Sequence, residues 1–166
     1  MSLWYILDGY NIVKQVPALN LKELQGGRES LVRLIEIYKP QGSRNNSVTI
    51  VFDGQEGISH PGKPSSVKVI FSNAESADDK IKSLVAACKR KKETIVVTDD
   101  RELQFSVRAL GALVLSVSGF LEKVKKQEIK SGDRKVKDSN EGERKAISKA
   151  LEFQINAELE KIWLKK

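Results

Sequence analysis

Carboxylates gather at four points of an otherwise basic chain: Asp8 in Asp8-Gly9, Asp53 in Asp53-Gly54, the pair Asp78-Asp79, and the pair Asp99-Asp100. Such acids, without a matching set of Lys or Arg in the same loops, repel one another. Each has its pKa raised unless a positive charge neutralises the group. A divalent cation does this directly. Hard oxygen donors, a single histidine (His60) and a single cysteine (Cys88) favour Mg²⁺ or Mn²⁺ over Zn²⁺. Close by stand neutral or basic groups with chemistry of their own. Asn11 can orient a carboxylate without cancelling its charge, Thr98 can contact a phosphate, and Arg101 can neutralise one. Each acid also has a plain structural reading. Asp8-Gly9 and Asp53-Gly54 fit turns, while Ser76 with Asp79 and Asp99 with Glu102 fit capping boxes.

What unites the acids is the elements that carry them. Residues 3–7, 48–52, 67–71, 94–98 and 112–117 read as strands, being short apolar or alternating runs bounded by polar and glycine residues. Helical periodicity covers residues 19–38, with Gly26-Gly27 as a possible break, then 77–91 and 100–110, where Gly111 supplies a stop. Ser118 fits the cap of a short helix after the fifth strand. Strands alternating with helices predict a mostly parallel five-stranded sheet covered on both faces. In such sheets ligands bind beyond the carboxyl ends of the strands. Asp8, Asp53 and Asp99-Asp100 follow three of those ends, and Asp78-Asp79 open the helix after another.

Helix phase separates one adjacent pair. At about 100° per residue, Ala77, Ile81, Leu84, Val85 and Cys88 form one apolar face. Asp78 lies roughly 80° from its centre and Asp79 roughly opposite, so Asp78 is the expected ligand. Between Asp99 and Asp100 the preference goes to Asp99, as nearer the strand end. The candidate metal set is therefore Asp8, Asp53, Asp78 and Asp99.

Ile6-Leu7-Asp8-Gly9-Tyr10-Asn11-Ile12 and Val51-Phe52-Asp53-Gly54 resemble the NYN branch of PIN-like nucleases, and particularly the YacP family. Ser76-Ala77-Asp78-Asp79 is similar to that family's helix start. Val97-Thr98-Asp99-Asp100-Arg101-Glu102-Leu103-Gln104 is similar to its strand-end acid and the helix after it. The matches occur in the family's order across about residues 3–120. The resemblance implies a Rossmann-like, three-layer PIN-type fold and an endoribonuclease using Mg²⁺ or Mn²⁺. It carries metal binding onto Asp8, Asp78 and Asp99, with Asn11 in support, and Asp53 matches its motif. It implies RNA as partner, with ribosome association suggested for some relatives.

Length and composition frame this expectation. The 166 residues suit one domain with a full core: a nuclease domain over 1–124, a charged linker over 125–140, and a final helix over 141–166, opened by a capping box at Asn140 and Glu143. A net charge of +7 suits a polyanionic partner. No apolar run reaches the length of a membrane span, no secretory leader is evident, and Cys88 has no disulfide partner, so the expected compartment is the cytoplasm. Hydrolysis of an RNA phosphodiester by a metal-activated water is the expected reaction, with Asp8, Asn11, Asp78 and Asp99 as its catalytic group and Thr98 and Arg101 on the substrate. The alternative is a non-catalytic RNA- or ribosome-binding module of the same fold, bound through its basic tail. A phospho-acceptor receiver needs a lysine after a late strand, which residues 112–118 lack. A haloacid-type phosphatase needs a second Asp two residues after Asp8, where Tyr10 stands. His60, in a Gly/Pro loop, is read as a surface residue, and the lysines and arginine of 89–92 as a basic run at a helix end.

Overall fold

The computed structural model describes residues 2–16, 19, 24–54 and 67–135, with side chains at 24–25 and 128–135 left aside. The loop expected around His60, the capping box expected at Asn140 and the final helix expected over 141–166 lie outside the described residues.

Five strands, β1 (Trp4–Asp8), β2 (Ser47–Phe52), β3 (Val67–Phe71), β4 (Thr94–Val97) and β5 (Leu113–Leu115), form one sheet in the order β3-β2-β1-β4-β5. Every pairing is parallel. β1 is central and buried along almost its whole length, which its unbroken run of Tyr, Ile and Leu allows. Its side chains alternate between two cores. Tyr5 and Leu7 join Ile12, Leu31, Leu34, Ile35, Phe120 and Val124 beneath α1 (Gly9–Gln15), α2 (Leu24–Tyr38) and α5 (Val117–Lys135). Ile6 joins Ile81, Val85, Val96, Leu103 and Val107 beneath α3 (Ala77–Ala87) and α4 (Arg101–Ala109). The result is the expected α/β three-layer fold, with a sheet that is wholly parallel.

The chain leaves β1 towards β2 and β3 on one side, then crosses to β4 and β5 on the other. The strand order therefore reverses between β1 and β4, which opens a crevice at their carboxyl ends. Asp8 ends β1, and Asp99 and Asp100 follow β4.

Several boundaries differ from expectation. The short helix α1 has no sequence signal, since Gly-Tyr-Asn reads as a turn. It forms because Asp8 caps Asn11 N–H and because Ile12 and Val13 are buried. α2 runs unbroken through Gly26-Gly27. A Cβ at Gly27 would lie 2.8 Å from the Leu19 carbonyl oxygen and 2.9 Å from Val13, so glycine is what admits the close approach. α3 stops at Ala87, leaving Cys88 half-buried and accepting from Thr94 Oγ1. The basic run 89–92 thus lies at the amino ends of the strands, across the sheet from the acids. α5 is capped by Ser116, whose Oγ accepts Gly119 N–H, and not by Ser118. It continues to Lys135, over much of the segment expected as a linker. Charge there did not exclude helix, because Lys, Glu and Gln are good helix formers.

Candidate active site

Asp8 is 7% exposed, at the C-terminal end of the central strand. Its Oδ1 accepts the Asn11 N–H at 3.2 Å, and its Oδ2 accepts the Thr98 hydroxyl at 3.0 Å. The same Thr98 oxygen accepts the Asp100 N–H at 3.1 Å. Thr98 O accepts from Gln104 Nε2 at 2.8 Å, so α4 is fastened to the end of β4. Asn11 ties α1 to that loop as well: its Oδ1 accepts the Asp99 N–H at 3.0 Å and Gln15 Nε2 at 2.9 Å. Sequence-distant segments are thereby locked around one carboxylate.

The electrostatics single out three acids. Burial pushes Asp8 above the usual carboxylate range, its hydrogen bonds from Asn11 and Thr98 draw it back in part, and the negative charges of Asp78 and Asp100 raise it further. Asp78 is raised by its own partial burial and then by Asp100, with Lys82 opposing. Asp79 behaves differently. It is exposed, accepts from Ser76 and Lys82, and is held below the usual range by those hydrogen bonds. Helix phase had assigned the two positions in this sense.

Asp99 does not share this group. Its Oδ1 accepts the Val117 N–H at 3.0 Å, on the α1 and α5 side of the sheet. The third acid facing Asp8 and Asp78 is Asp100, which also caps α4 by accepting Leu103 N–H at 2.8 Å. Strand alternation held the signal. Val97 belongs to the core under α1 and α5, so Asp99, two residues on, continues its side and not that of α3.

Two further candidates are engaged within the protein. Thr98 is fully buried, and its hydroxyl joins Asp8 and the Asp100 N–H. Asp53 is exposed, and its Oδ1 accepts Ser72 Oγ at 2.9 Å and Gly54 N–H at 3.0 Å, so it braces the ends of β2 and β3. Asn11 acts through Asp8 and the Asp99 backbone as a positioning residue. Arg101 is exposed, directly after Asp100. A neighbouring feature carried no sequence signal. Arg28 of α2 donates to the Tyr10 hydroxyl, through Nε at 2.7 Å and through Nη2, and its guanidinium lies 5.1–5.7 Å from the ring centres of Tyr10, Phe52 and Phe71.

Among the described residues, no three His, Cys, Asp or Glu side chains stand close enough together to hold a metal ion. In chemistry the donors fit a hard divalent cation. Asp8 is a buried carboxylate whose charged neighbours are Asp78 and Asp100, so its negative charge is met by two hydrogen bonds and by no cationic side chain.

No helix among the described residues is long and apolar enough to cross a membrane. Among curated proteins none matches the chain. Crystal structures of Rae1 (YacP) from Bacillus subtilis are similar to it. One superposes with a TM-score of 0.68 at 26% identity, covering 99% of this chain and 94% of the other. Its W164L mutant superposes with a TM-score of 0.65 at 24% identity, covering 97% and 94%. The family model for the YacP-like NYN domain matches residues 5–163. With that match spanning nearly the whole sequence and the carboxylates set at the reversal point of the sheet, the chain belongs to the YacP-like NYN domain family.

Proposed function

We propose that this protein is a metal-dependent endoribonuclease, with Asp8, Asp78 and Asp100 as its metal-binding carboxylates. Family membership supports an RNase-type domain with RNA as substrate or partner. The observation that carries the finer reading is the burial of Asp8 at the crevice between β1 and β4, with Asp78 and Asp100 as the charges that act on it. A structural acid in that position would be expected to have a cation beside it.

In this reading Asp8, Asp78 and Asp100, which do not stand close enough together here to share an ion, would draw together on Mg²⁺ or Mn²⁺. When bound, the ion supplies neutralisation of charge on a phosphodiester and acidification of a nearby water. The chain supplies the rest. Thr98 and Asn11 fix the rotation of Asp8, so that each carboxylate oxygen keeps a lone pair for the crevice. Asn11 also sets the β4–α4 loop through Asp99 N–H, which places Asp100. Arg101, exposed directly after Asp100, would contact a substrate phosphate.

The test is cleavage of single-stranded RNA with and without EDTA. Metal-dependent cleavage supports the proposal. Tight RNA binding that EDTA leaves unchanged, with no cleavage, would transfer the protein to the non-catalytic RNA- or ribosome-binding alternative.

A further inference from the structure

Beyond the acids, α4 carries an exposed surface that its packing does not explain. Leu103 and Val107 bury one side of this helix. On the other side Phe105 is 76% exposed, more than any other exposed large apolar side chain among the described residues. At about 100° per residue, Arg101, Phe105 and Arg108 fall within roughly 60° of one another, so they form one stripe along the helix. Both arginines are exposed. The ion pairs among the described residues are Lys80–Glu75, Lys82–Asp79 and Arg90–Glu93, so neither Arg101 nor Arg108 is committed to a carboxylate. Arg108, in the last turn, complements the helix dipole without needing a partner.

A lone exposed phenylalanine is ordinary. Here it lies between two uncommitted guanidinium groups, on a helix whose N-cap is Asp100 of the acid group. Alternating cation, aromatic face and cation suits single-stranded nucleic acid, whose unstacked bases pack on aromatic side chains while flanking phosphates meet arginine. The stripe spans about 10 Å along the helix axis from Arg101 to Arg108. Glu102 lies on its flank towards α3, where its charge acts on Asp78, and leaves the stripe itself basic.

We propose that Arg101, Phe105 and Arg108 form the platform on which single-stranded RNA is held as it enters the crevice, with one base stacked on Phe105. The choice of RNA rests on the ribonuclease reading above. The platform runs from Arg108 to Arg101, which directly follows Asp100 of the acid group.

Fluorescence anisotropy of a short labelled single-stranded RNA, with the full chain in EDTA, tests the platform without cleavage. Phe105→Ala is expected to weaken binding about 10-fold, Phe105→Leu to weaken it similarly, and Phe105→Tyr to retain it, because stacking requires a ring. Arg108→Ala is expected to weaken binding and flatten its dependence on salt. Thermal midpoints should be unchanged, since Phe105 contributes little to the core. Wild-type affinity in Phe105→Ala overturns the proposal, as does full binding by Phe105→Leu or failure of the wild type to bind. Loss of a wild-type dimer in Phe105→Ala with RNA affinity unchanged assigns the stripe to a second copy and also overturns it. If binding follows the platform but Mg²⁺ or Mn²⁺ produces no cleavage, only the nuclease reading fails.

Discussion

The Thr98 hydroxyl donates to Oδ2 of Asp8 at 3.0 Å, joining the carboxyl ends of β1 and β4 across 90 positions of sequence. The same oxygen accepts the Asp100 N–H, so one buried side chain sets two of the three acids. Thr98→Val keeps the shape and removes both bonds. The expected cost is about 1.5–3 kcal/mol, the range for hydrogen bonds to charged groups, read by urea denaturation. RNA cleavage should fall as well, and Thr98→Ser should recover most of both losses. A Thr98→Val protein as stable and active as the wild type would show that this bond does not organise the site.

Asn11 offers a second test of positioning. Asn11→Ala leaves the Asp99 N–H without its side-chain acceptor and frees the β4–α4 loop from α1. Stability should fall by about 1–2 kcal/mol, with kcat reduced more than RNA affinity. Asn11→Asp keeps an acceptor but adds negative charge near Asp8, so it should restore part of the stability and lower the metal concentration needed for half-maximal cleavage. Equal effects of both variants on that concentration would contradict this role.

The acids also predict a pH dependence of stability in EDTA. Asp8 lies above its ordinary value of 3.8 in the folded protein because it is buried and faces Asp78 and Asp100. The unfolded chain therefore releases this proton first as pH rises, and Asp8 lowers stability through the window from about pH 4 to its folded pKa. At neutral pH, Asp8→Asn should raise the thermal midpoint, with about 2–4 °C for each kcal/mol relieved. That advantage should shrink as pH is lowered towards 4. A difference that grows on acidification has the wrong sign.

Close packing makes Gly9 irreplaceable. A Cβ there would lie 2.3 Å and 2.4 Å from Phe52 ring carbons and 2.9 Å from the Val51 carbonyl oxygen. Gly9→Ala should destabilise by about 1–3 kcal/mol, as overpacking does, despite alanine's better helix propensity. The ring must shift to admit the methyl group, it meets Tyr10 edge-on and stacks on Phe71, and Gly9 directly follows Asp8. Cleavage should therefore weaken even where the variant folds. Stability equal to the wild type in chemical denaturation would contradict the packing argument.

The sheet and its flanking helices were legible in the sequence because strand and helix periods were clean, and they alone brought Asp8 and the acids after β4 to one edge. Helix phase similarly put Asp78 inward and Asp79 outward. The differences from expectation have local causes. α1 is held by a cap and by burial of Ile12 and Val13, neither of which a glycine-led segment advertises. Asp99 was preferred over Asp100 for its nearness to the strand end, whereas alternation along β4 sends it towards Val117. Thr98 and Asp53 carry plausible ligand atoms, but their hydrogen bonds to Asp8 and Ser72 exist only once distant strands are paired. The helical course of α5 over residues 125–135 was hidden by a charged composition that suits a helix as well as a loop.

Cleavage of an end-labelled single-stranded RNA in Mn²⁺, comparing the wild type with Asp8→Asn, Asp100→Asn and Asp99→Asn, tests the acid group most directly. The predicted result is cleavage abolished by EDTA and reduced about 100-fold or more in Asp8→Asn and Asp100→Asn. Asp99→Asn, which keeps an oxygen for Val117 N–H, should retain activity within a few-fold of the wild type. Full activity of Asp8→Asn, or cleavage that survives EDTA, would contradict the account.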